Sequence, residues 1–273
     1  MTGDVFASFP KGLPFYYRFR TAMEVISGLH PSYFSLLLLF SCLFFIDYII
    51  KNAWRKSSYL LILMLIVMLV QAAFLASRIP LAAFAISLII MLLLSFKNYK
   101  VSLISTVLLF VIGFAALMFV PSISERVNEI TDTKWVAPEG DNFNATNIRV
   151  GIYQCSTELL KENWLFGLGY GDIQENLNKC YEKFGTDAYI ITPYNTHNIY
   201  LNAWLGSGIL GLIALLAMLL IPLIKAVRER HAIYAAFIVF FLICGLTENI
   251  LNRQIGVVFY CYINLLLFNR EEH

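Results

Sequence analysis

Charged residues are scarce in this sequence of 273 residues: only 14% are Asp, Glu, Lys or Arg, whereas 59% are hydrophobic. Because soluble domains carry about 25% charged residues, this composition excludes an ordinary soluble domain. The sequence also lacks the alternation of polar and apolar residues, over about ten positions, that outer-membrane strands require. The chain is therefore predicted to be an all-α, polytopic transmembrane protein.

Four long runs contain no charged residue, and they hold 19, 18, 24 and 27 residues: Tyr59–Ser77, Ile79–Phe96, Val101–Ser124 and Asn198–Ile224. A helix needs about 20 apolar residues to cross the hydrocarbon core, where no backbone group can be left unpaired. With the other hydrophobic segments, these runs predict about seven spans: Ser32–Ile50, Tyr59–Ser77, Leu81–Phe96, Val101–Val120, Ile199–Ile224, Ala232–Ile250 and Ile255–Phe268.

The distribution of charge predicts how the spans are oriented. Nine of the 20 Lys and Arg residues lie in four short segments: Lys51–Ser58, Lys97–Lys100, Lys225–Arg230 and the tail from Asn269. The positive-inside rule places these segments in the cytoplasm. The segment Ser122–His197, with eleven acidic and six basic residues, then lies outside.

This topology predicts four regions. Residues 1–31 form an N-terminal extracytoplasmic segment, and residues 32–120 contain four transmembrane helices. Residues 121–197 form a large outer loop with an amphipathic helix, and residues 198–273 contain three transmembrane helices and a short cytoplasmic tail. The first region fits poorly, because no span precedes it and it carries Lys11, Arg18 and Arg20. Two explanations stay open: the chain continues a longer membrane protein, which we favour, or its N-terminus is a translocated tail.

The outer loop has its own local patterns. Asn147–Glu162 is predicted to be an amphipathic helix, because four apolar residues recur at helical spacing: Ile148, Ile152, Cys155 and Leu159. Gly167–Gly171 reads G-L-G-Y-G, but neither the strand nor the lysine of a nucleotide-binding loop accompanies it, so a tight loop is expected. Cys155 and Cys180 are candidates for a disulfide on an oxidising face. No metal site is expected, because no Cys or His lies at ligand spacing from them.

Five ionisable residues are predicted to reach the outer membrane surface: Arg78, Arg149, His197, Glu248 and Arg253. Topology places them at one depth, and ionisable groups beside spans are often functional. Structural alternatives stay open for each of them. Arg78 could extend to lipid headgroups, His197 could cap a helix at the interface, and Arg149 could be solvated. Glu248 and Arg253 could form an ion pair.

The chemistry of these residues favours phosphate binding by the arginines and proton transfer by the histidine. Asn195 and Thr196 are helix-capping types, so His197 would lie at the positive end of the fifth span, which keeps its ring neutral as a general base requires. Arginine forks bind phosphate oxygens. Together they indicate attack by a hydroxyl group, with a phosphorylated lipid as leaving group. Three glycines would let a neighbouring helix pack closely on this span: Gly206, Gly208 and Gly211.

At these residues the sequence resembles the O-antigen ligase family, which includes the related O-antigen polymerases. Thr196–Leu201 followed by Gly208–Gly211 is similar to the H-N-x-Y-L…G-x-x-G signature of the family. Ala76–Arg78 looks like its S-R span start. Arg149 with Asn163–Gly169 is similar to its R…P-L-x-G-x-G segment, although Trp164 stands where proline is usual.

One further motif, His30–Tyr33, resembles an H-P-N-Y span start of the family with serine in place of asparagine. The resemblance extends over roughly Gly28–Phe268. Family members usually have more spans than the seven predicted here.

The resemblance implies a GT-C-like, metal-independent glycosyltransferase of the bacterial inner membrane, with no cofactor and with its active site on the periplasmic side. Its partners would be an undecaprenyl-diphosphate-linked glycan, a sugar acceptor such as lipid A–core, and membrane lipid, with no nucleic acid. His197 would be the catalytic base. Arg78 and Arg149 would bind the diphosphate, and Glu248 and Arg253 would have weaker, positioning roles.

Other functions stay open from the sequence. An O-antigen polymerase or a protein O-oligosaccharyltransferase would differ only in the acceptor. A transporter or lipid-binding subunit would predict charged or broken helices near mid-span, whereas the span centres here are uncharged apart from the neighbourhood of Glu248. A non-catalytic scaffold would tolerate the loss of His197.

Overall fold

The computed structural model describes residues 15–52, 58–75, 77–96, 98, 100, 101, 104 and 133–268. These residues are mostly helical and form no β-strand, which confirms the all-α prediction for this part of the chain. The helices are α1 (Phe15–Ser27), α2 (Pro31–Lys51), α3 (Ser58–Leu75), α4 (Arg78–Ser95), α5 (Ala145–Asn163), α6 (Ile173–Tyr181), α7 (Ala188–Ile191), α8 (Ile199–Arg228), α9 (Ala232–Cys244) and α10 (Gln254–Phe268). Two 3-10 turns lie at Glu182–Phe184 and Ile250–Asn252.

Among the described residues, three helices are long and apolar enough to cross a membrane: α2, α4 and α8. Helices α3, α9 and α10 are apolar but shorter. The predicted total of seven spans therefore stays a prediction. The fourth predicted span, Val101–Val120, lies outside the described residues apart from Val101 and Ile104.

Several helix boundaries differ from the sequence prediction, and two of them bear on the candidate site. Helix α4 begins at Arg78, so Arg78–Pro80 forms its first turn, whereas the predicted span began at Leu81. Proline is tolerated there because the N–H groups of a first turn have no partner within the helix. The sixth predicted span, Ala232–Ile250, is also too long, because α9 ends at Cys244. The residues that follow Cys244 hydrogen-bond to other segments, as shown below.

The chain divides into two compact units, of which the first comprises Met1–Arg126, Pro222–Cys244 and Ile263–His273. Its centre is α9, which packs against α4 and α2 and is buried around most of its circumference. Such a helix is apolar on every face because no face meets water. Arg230 donates a hydrogen bond from Nη2 to the Leu94 carbonyl (3.0 Å) and so pairs a carbonyl at the end of α4.

The second unit comprises Val127–Ile221 and Gly245–Tyr262, and its main helix is α5. Asn144 caps α5 with its side chain, while the Asn147 side chain accepts a hydrogen bond from the Asn144 N–H (2.7 Å). Helix α5 contains the whole predicted amphipathic helix and confirms it. Its apolar residues pack on α6, α7 and α8 around a common core: Ile148, Ile152, Cys155, Leu160, Ile173, Leu177, Tyr181, Ala188, Tyr189 and Leu205.

A disulfide between Cys155 and Cys180 joins α5 to α6, as the sequence had suggested. The two sulfurs and a carboxylate oxygen of Glu158 lie within 4.8 Å of one another. The S–S bond removes both thiolates as metal ligands. The cluster is therefore a structural link between the two helices.

Helix α8 is broken at Ser207–Gly208, where both residues have non-helical dihedral angles. The loop of residues 164–169 lies in this break. Its backbone pairs the groups that the break frees: Leu168 N–H donates to the Leu205 carbonyl (2.6 Å), and Ile209 N–H donates to the Trp164 carbonyl (3.0 Å). The broken helix thus keeps its backbone hydrogen bonds through the 164–169 loop.

Glycine is required where the 164–169 loop meets α8. Gly208 has a φ of +66°, and a Cβ atom there would lie 2.0 Å from the Leu165 carbonyl oxygen. Gly167 has a φ of +74°, and its Cβ would lie 2.6 Å from the Gly208 nitrogen. The sequence prediction that Gly206, Gly208 and Gly211 admit a neighbouring helix is wrong at Gly208, because the backbone of a loop approaches instead.

Candidate functional site

His197 lies two residues before α8 in an unusual backbone conformation, with a φ of +44°. The Asn195 side chain stabilises this turn by accepting a hydrogen bond from the His197 N–H (2.9 Å). Asn198 caps α8, because its side chain accepts from the N–H groups two and three residues further on, both at 2.9 Å. The cap was expected from Asn195 or Thr196; the structure gives that role to Asn198.

A cluster of tyrosines supports the segment that precedes His197. Tyr181 and Tyr189 stack with their ring centroids 4.2 Å apart. Burial raises the pKa of both phenols, so their hydroxyls stay protonated and act as donors. Tyr181 donates to the Tyr194 carbonyl (3.1 Å) and Tyr189 donates to the Ile148 carbonyl (2.9 Å). The Tyr194 ring then lies 5.8 Å from the His197 ring, centroid to centroid.

The segment after α9 is held against the start of α8 by its backbone. Ile199 N–H donates to the Gly245 carbonyl (2.9 Å). The Leu246 carbonyl accepts two hydrogen bonds, from Asn198 Nδ2 (3.0 Å) and from the Tyr153 hydroxyl (3.1 Å). These contacts explain why helical structure stops at Cys244: the carbonyls that follow are paired elsewhere.

Buried polar side chains extend this attachment. Asn249 Nδ2 donates to Thr196 Oγ1 (3.1 Å), and Asn202 Nδ2 donates to Asn252 Oδ1 (3.0 Å). Thr196, Asn202 and Asn249 are all buried. Sequence reasoning missed this network. The signal for it was Asn202, an amide within an apolar run, which is costly there unless it has a hydrogen-bond partner.

The attached segment brings Glu248 between two other ionisable groups. Its Oε1 lies 3.6 Å from Arg149 Nη2, and its Oε2 lies 3.8 Å from His197 Nδ1. The side chain of Glu248 is only 10% exposed, against 32% for Arg149 and 24% for His197. Three of the five predicted residues are therefore neighbours, although Arg149 and Glu248 lie on opposite sides of α8 and α9 in the sequence.

This cluster retains hydrogen-bonding capacity. Arg149 Nε and His197 Nδ1 are buried and have no hydrogen-bond partner within the described part of the chain. Buried polar nitrogens are normally paired, so the unpaired Nε of Arg149 indicates a place where a polar atom of a ligand can bind. With Nδ1 directed to Glu248, Nε2 is the His197 nitrogen left for a substrate.

A family model described as O-antigen ligase matches residues 63–216, which is more than half of the chain. This chain belongs to the O-antigen ligase family. None of the curated proteins matches it. The family and the apolar helices make the chain a membrane protein, and the family's glycosyltransferase and ligase members support an enzyme. The matched region contains Arg78, Arg149 and His197, whereas Glu248 and Arg253 follow it.

The two other predicted residues are Arg78 and Arg253. Arg78 belongs to the first unit, as the first residue of α4. The hydroxyl of Ser77, its neighbour, is buried and makes no hydrogen bond with any described residue. Arg253 is exposed and follows the 3-10 turn Ile250–Asn252. Glu248 forms an ion pair with Arg149.

Tyr153 also lies beside the cluster, and no sequence pattern indicated its role. It lies one helical turn after Arg149 on α5. Burial raises the pKa of its phenol; the Arg149 charge lowers the pKa and the Glu248 charge raises it further. The Tyr153 hydroxyl therefore stays protonated and keeps its hydrogen bond to Leu246, two residues before Glu248.

Proposed function

We propose that this chain transfers a glycan from undecaprenyl diphosphate to the hydroxyl of a sugar acceptor at the periplasmic face of the inner membrane. The single observation that carries the proposal is the position of Glu248, whose two carboxylate oxygens face the Arg149 guanidinium and the His197 imidazole. A base oriented by a carboxylate, beside an arginine, suits the activation of a hydroxyl next to a phosphorylated leaving group.

In this mechanism, His197 removes the proton of the acceptor hydroxyl through Nε2. The hydroxyl oxygen attacks the anomeric carbon of the lipid-linked glycan and forms the new glycosidic bond. The bond from that carbon to the phosphate oxygen breaks, and its electron pair leaves with undecaprenyl diphosphate. Glu248 stabilises the imidazolium that forms, because its negative charge lies 3.8 Å from Nδ1.

Arg149 and Arg78 bind the diphosphate in this proposal. Arg149 is suited to it because Nε has no hydrogen-bond partner among the described residues, while Nη2 is fixed by Glu248. Arg78 is suited because it opens α4, and the free N–H groups of a helix start favour anions. Both guanidiniums would offset the negative charge that grows on the leaving group. Arg253 would help to position the acceptor.

The acceptor decides between three versions of the reaction. A ligase transfers the glycan to lipid A–core, a polymerase transfers it to another lipid-linked repeat unit, and a protein O-oligosaccharyltransferase transfers it to a protein hydroxyl. His197, Glu248 and the arginines would act in the same way in each.

The test is complementation of surface-glycan display in a bacterial host that lacks its own ligase. We expect display with the wild-type chain and loss of display with His197→Ala and with Arg78→Ala. Lys179→Ala, which removes an exposed cation of α6, is the matched control and should preserve display. All variants are compared at equal membrane levels. Undiminished display by His197→Ala would remove the histidine from the mechanism, and the same result for Arg78→Ala would remove that arginine.

A further inference from the structure

Exposed apolar side chains surround the break in α8. On the 164–169 loop, Phe166 is 81% exposed and Trp164 is 51% exposed, and Tyr170 directly after the loop is 58% exposed. On α8 beyond the break, Leu210 is 69% exposed and Ile213 is 54% exposed. Single exposed apolar residues are ordinary, but five of them on a loop and the helix to which its backbone is hydrogen-bonded are typical of an interaction surface.

The loop cannot lie at a different depth from the break. Its backbone is hydrogen-bonded to α8 on both sides of Ser207–Gly208, through Leu205 and Ile209. Gly208 also contacts the loop so closely that a Cβ atom would overlap the Leu165 carbonyl. The aromatic side chains of the loop therefore lie at the same membrane depth as the break in α8.

The length of α8 indicates at which depth of the membrane the break lies. From Ile209 to Arg228 the helix has about 20 residues, or about 30 Å, which is the thickness of the hydrocarbon core. Its basic residues, Lys225 and Arg228, lie in the last turn. Before the break, Asn202 is buried and paired with Asn252, which is typical of a folded polar region and not of lipid contact.

We propose that the 164–169 loop and Tyr170 form a membrane-interface anchor whose partner is the phospholipid bilayer itself. The aromatic side chains enter the boundary between headgroups and hydrocarbon, in the leaflet nearer His197, where Trp and Tyr are favoured. The membrane-crossing part of α8 then begins at the break, whereas the sequence prediction began this span at Ile199. The loop pairs the freed backbone groups of α8, since lipid offers them no partner.

The anchor has a consequence for the site. Eight residues of α8, Ile199–Gly206, separate the break from the turn that contains His197, which corresponds to about 12 Å along the helix axis. The anchor fixes this separation, so the imidazole lies above the hydrocarbon at the level of lipid headgroups and the sugars attached to them.

The test is a depth measurement on the full chain reconstituted in phosphatidylglycerol–phosphatidylethanolamine vesicles. Single cysteines are introduced as Phe166→Cys, Glu175→Cys and Ile221→Cys in a Cys261→Ala background, since Cys42 and Cys244 are buried and the disulfide occupies the other two. Each carries a nitroxide label. Collision with O2 reports hydrocarbon, and collision with a water-soluble nickel chelate reports water. Glu175 is the aqueous control on α6, and Ile221 is the hydrocarbon control on α8.

We expect the ratio of O2 to nickel collisions at position 166 to be several-fold above that at position 175 and to approach that at position 221. A ratio at 166 equal to that at 175 would overturn the proposal. A label at 166 protected from both reagents would also overturn it, since it would indicate burial against a second copy of the chain. Tyr170→Cys provides a second site on the same surface, and it must give the same result as position 166.

Discussion

At the scale of single residues, the position of Glu248 is the feature on which the account depends. A carboxylate that is 10% exposed is costly unless a charged partner compensates it, and here the Arg149 guanidinium does so. The His197 imidazole faces the same carboxylate. The cluster thus combines an ion pair with the histidine that we propose as the base.

Glu248→Gln should lower the transfer rate by about 100-fold, because the amide keeps the shape of the side chain but cannot stabilise the imidazolium that forms during the reaction. The measurement is the initial rate of glycan transfer by the purified protein from a lipid-linked donor. Glu175→Gln is the matched control, as its carboxylate is exposed and pairs with Lys179. Equal rates for Glu248→Gln and the control would exclude the carboxylate from catalysis.

Arg149→Lys should raise the KM for the lipid-linked donor by about tenfold and leave the KM for the acceptor unchanged. Lysine keeps a positive charge beside Glu248 but loses the planar fork that binds two phosphate oxygens. Steady-state kinetics with each substrate varied in turn separates the two constants. A change confined to the acceptor KM would contradict a diphosphate-binding role for Arg149.

At the scale of helices and loops, the break in α8 depends on glycine. Gly208→Ala should destabilise the fold by about 2 kcal/mol or more, because alanine is strained at a φ of +66° and its Cβ would overlap the Leu165 carbonyl. Thermal unfolding of the purified protein, followed by tryptophan fluorescence, should show a lower Tm. Gly171→Ala is the control, since no atom lies within 4 Å of its Cβ position and its φ is not positive. Equal Tm values for both variants would show that the loop and helix adapt.

The sequence predicted most helices because their signals are local. Uncharged runs indicated α3, α4 and α8, and apolar spacing from Ile148 to Leu159 indicated α5. The break at Ser207–Gly208 was missed because it lies inside an uncharged run, and hydropathy reports composition and not dihedral angles. The end of α9 at Cys244 was missed for a related reason: distant partners, such as Asn198, pair the carbonyls that follow.

The candidate site was predicted in part. The residue types that suit phosphate and proton chemistry indicated Arg149, His197 and Glu248 separately. Their proximity could not be predicted, since it depends on how α5, the start of α8 and the segment after α9 pack together. Of the amides that hold this arrangement, Asn202 stands out only by its place in an apolar run, and neither Asn202 nor Asn249 indicates which residue is its partner.

At the scale of the whole molecule, the disulfide tests on which side of the membrane the second unit lies. The chain has five cysteines, of which Cys155 and Cys180 are joined and three are free. Protein denatured directly from cells should react with three equivalents of a maleimide, and with five after reduction. This result is expected for a periplasmic location, because the cytoplasm keeps thiols reduced. Five reactive thiols before reduction would contradict that topology.

The most direct test of the central claim is a double-mutant cycle on the transfer rate, with the wild-type protein, His197→Ala, Glu248→Gln and the double variant. If Glu248 acts through His197, its replacement has nothing further to remove once the imidazole is gone. We predict that the double variant is no slower than His197→Ala alone. Rates that fall by the product of the two single effects would contradict the account, because they would mean that the carboxylate and the imidazole act independently.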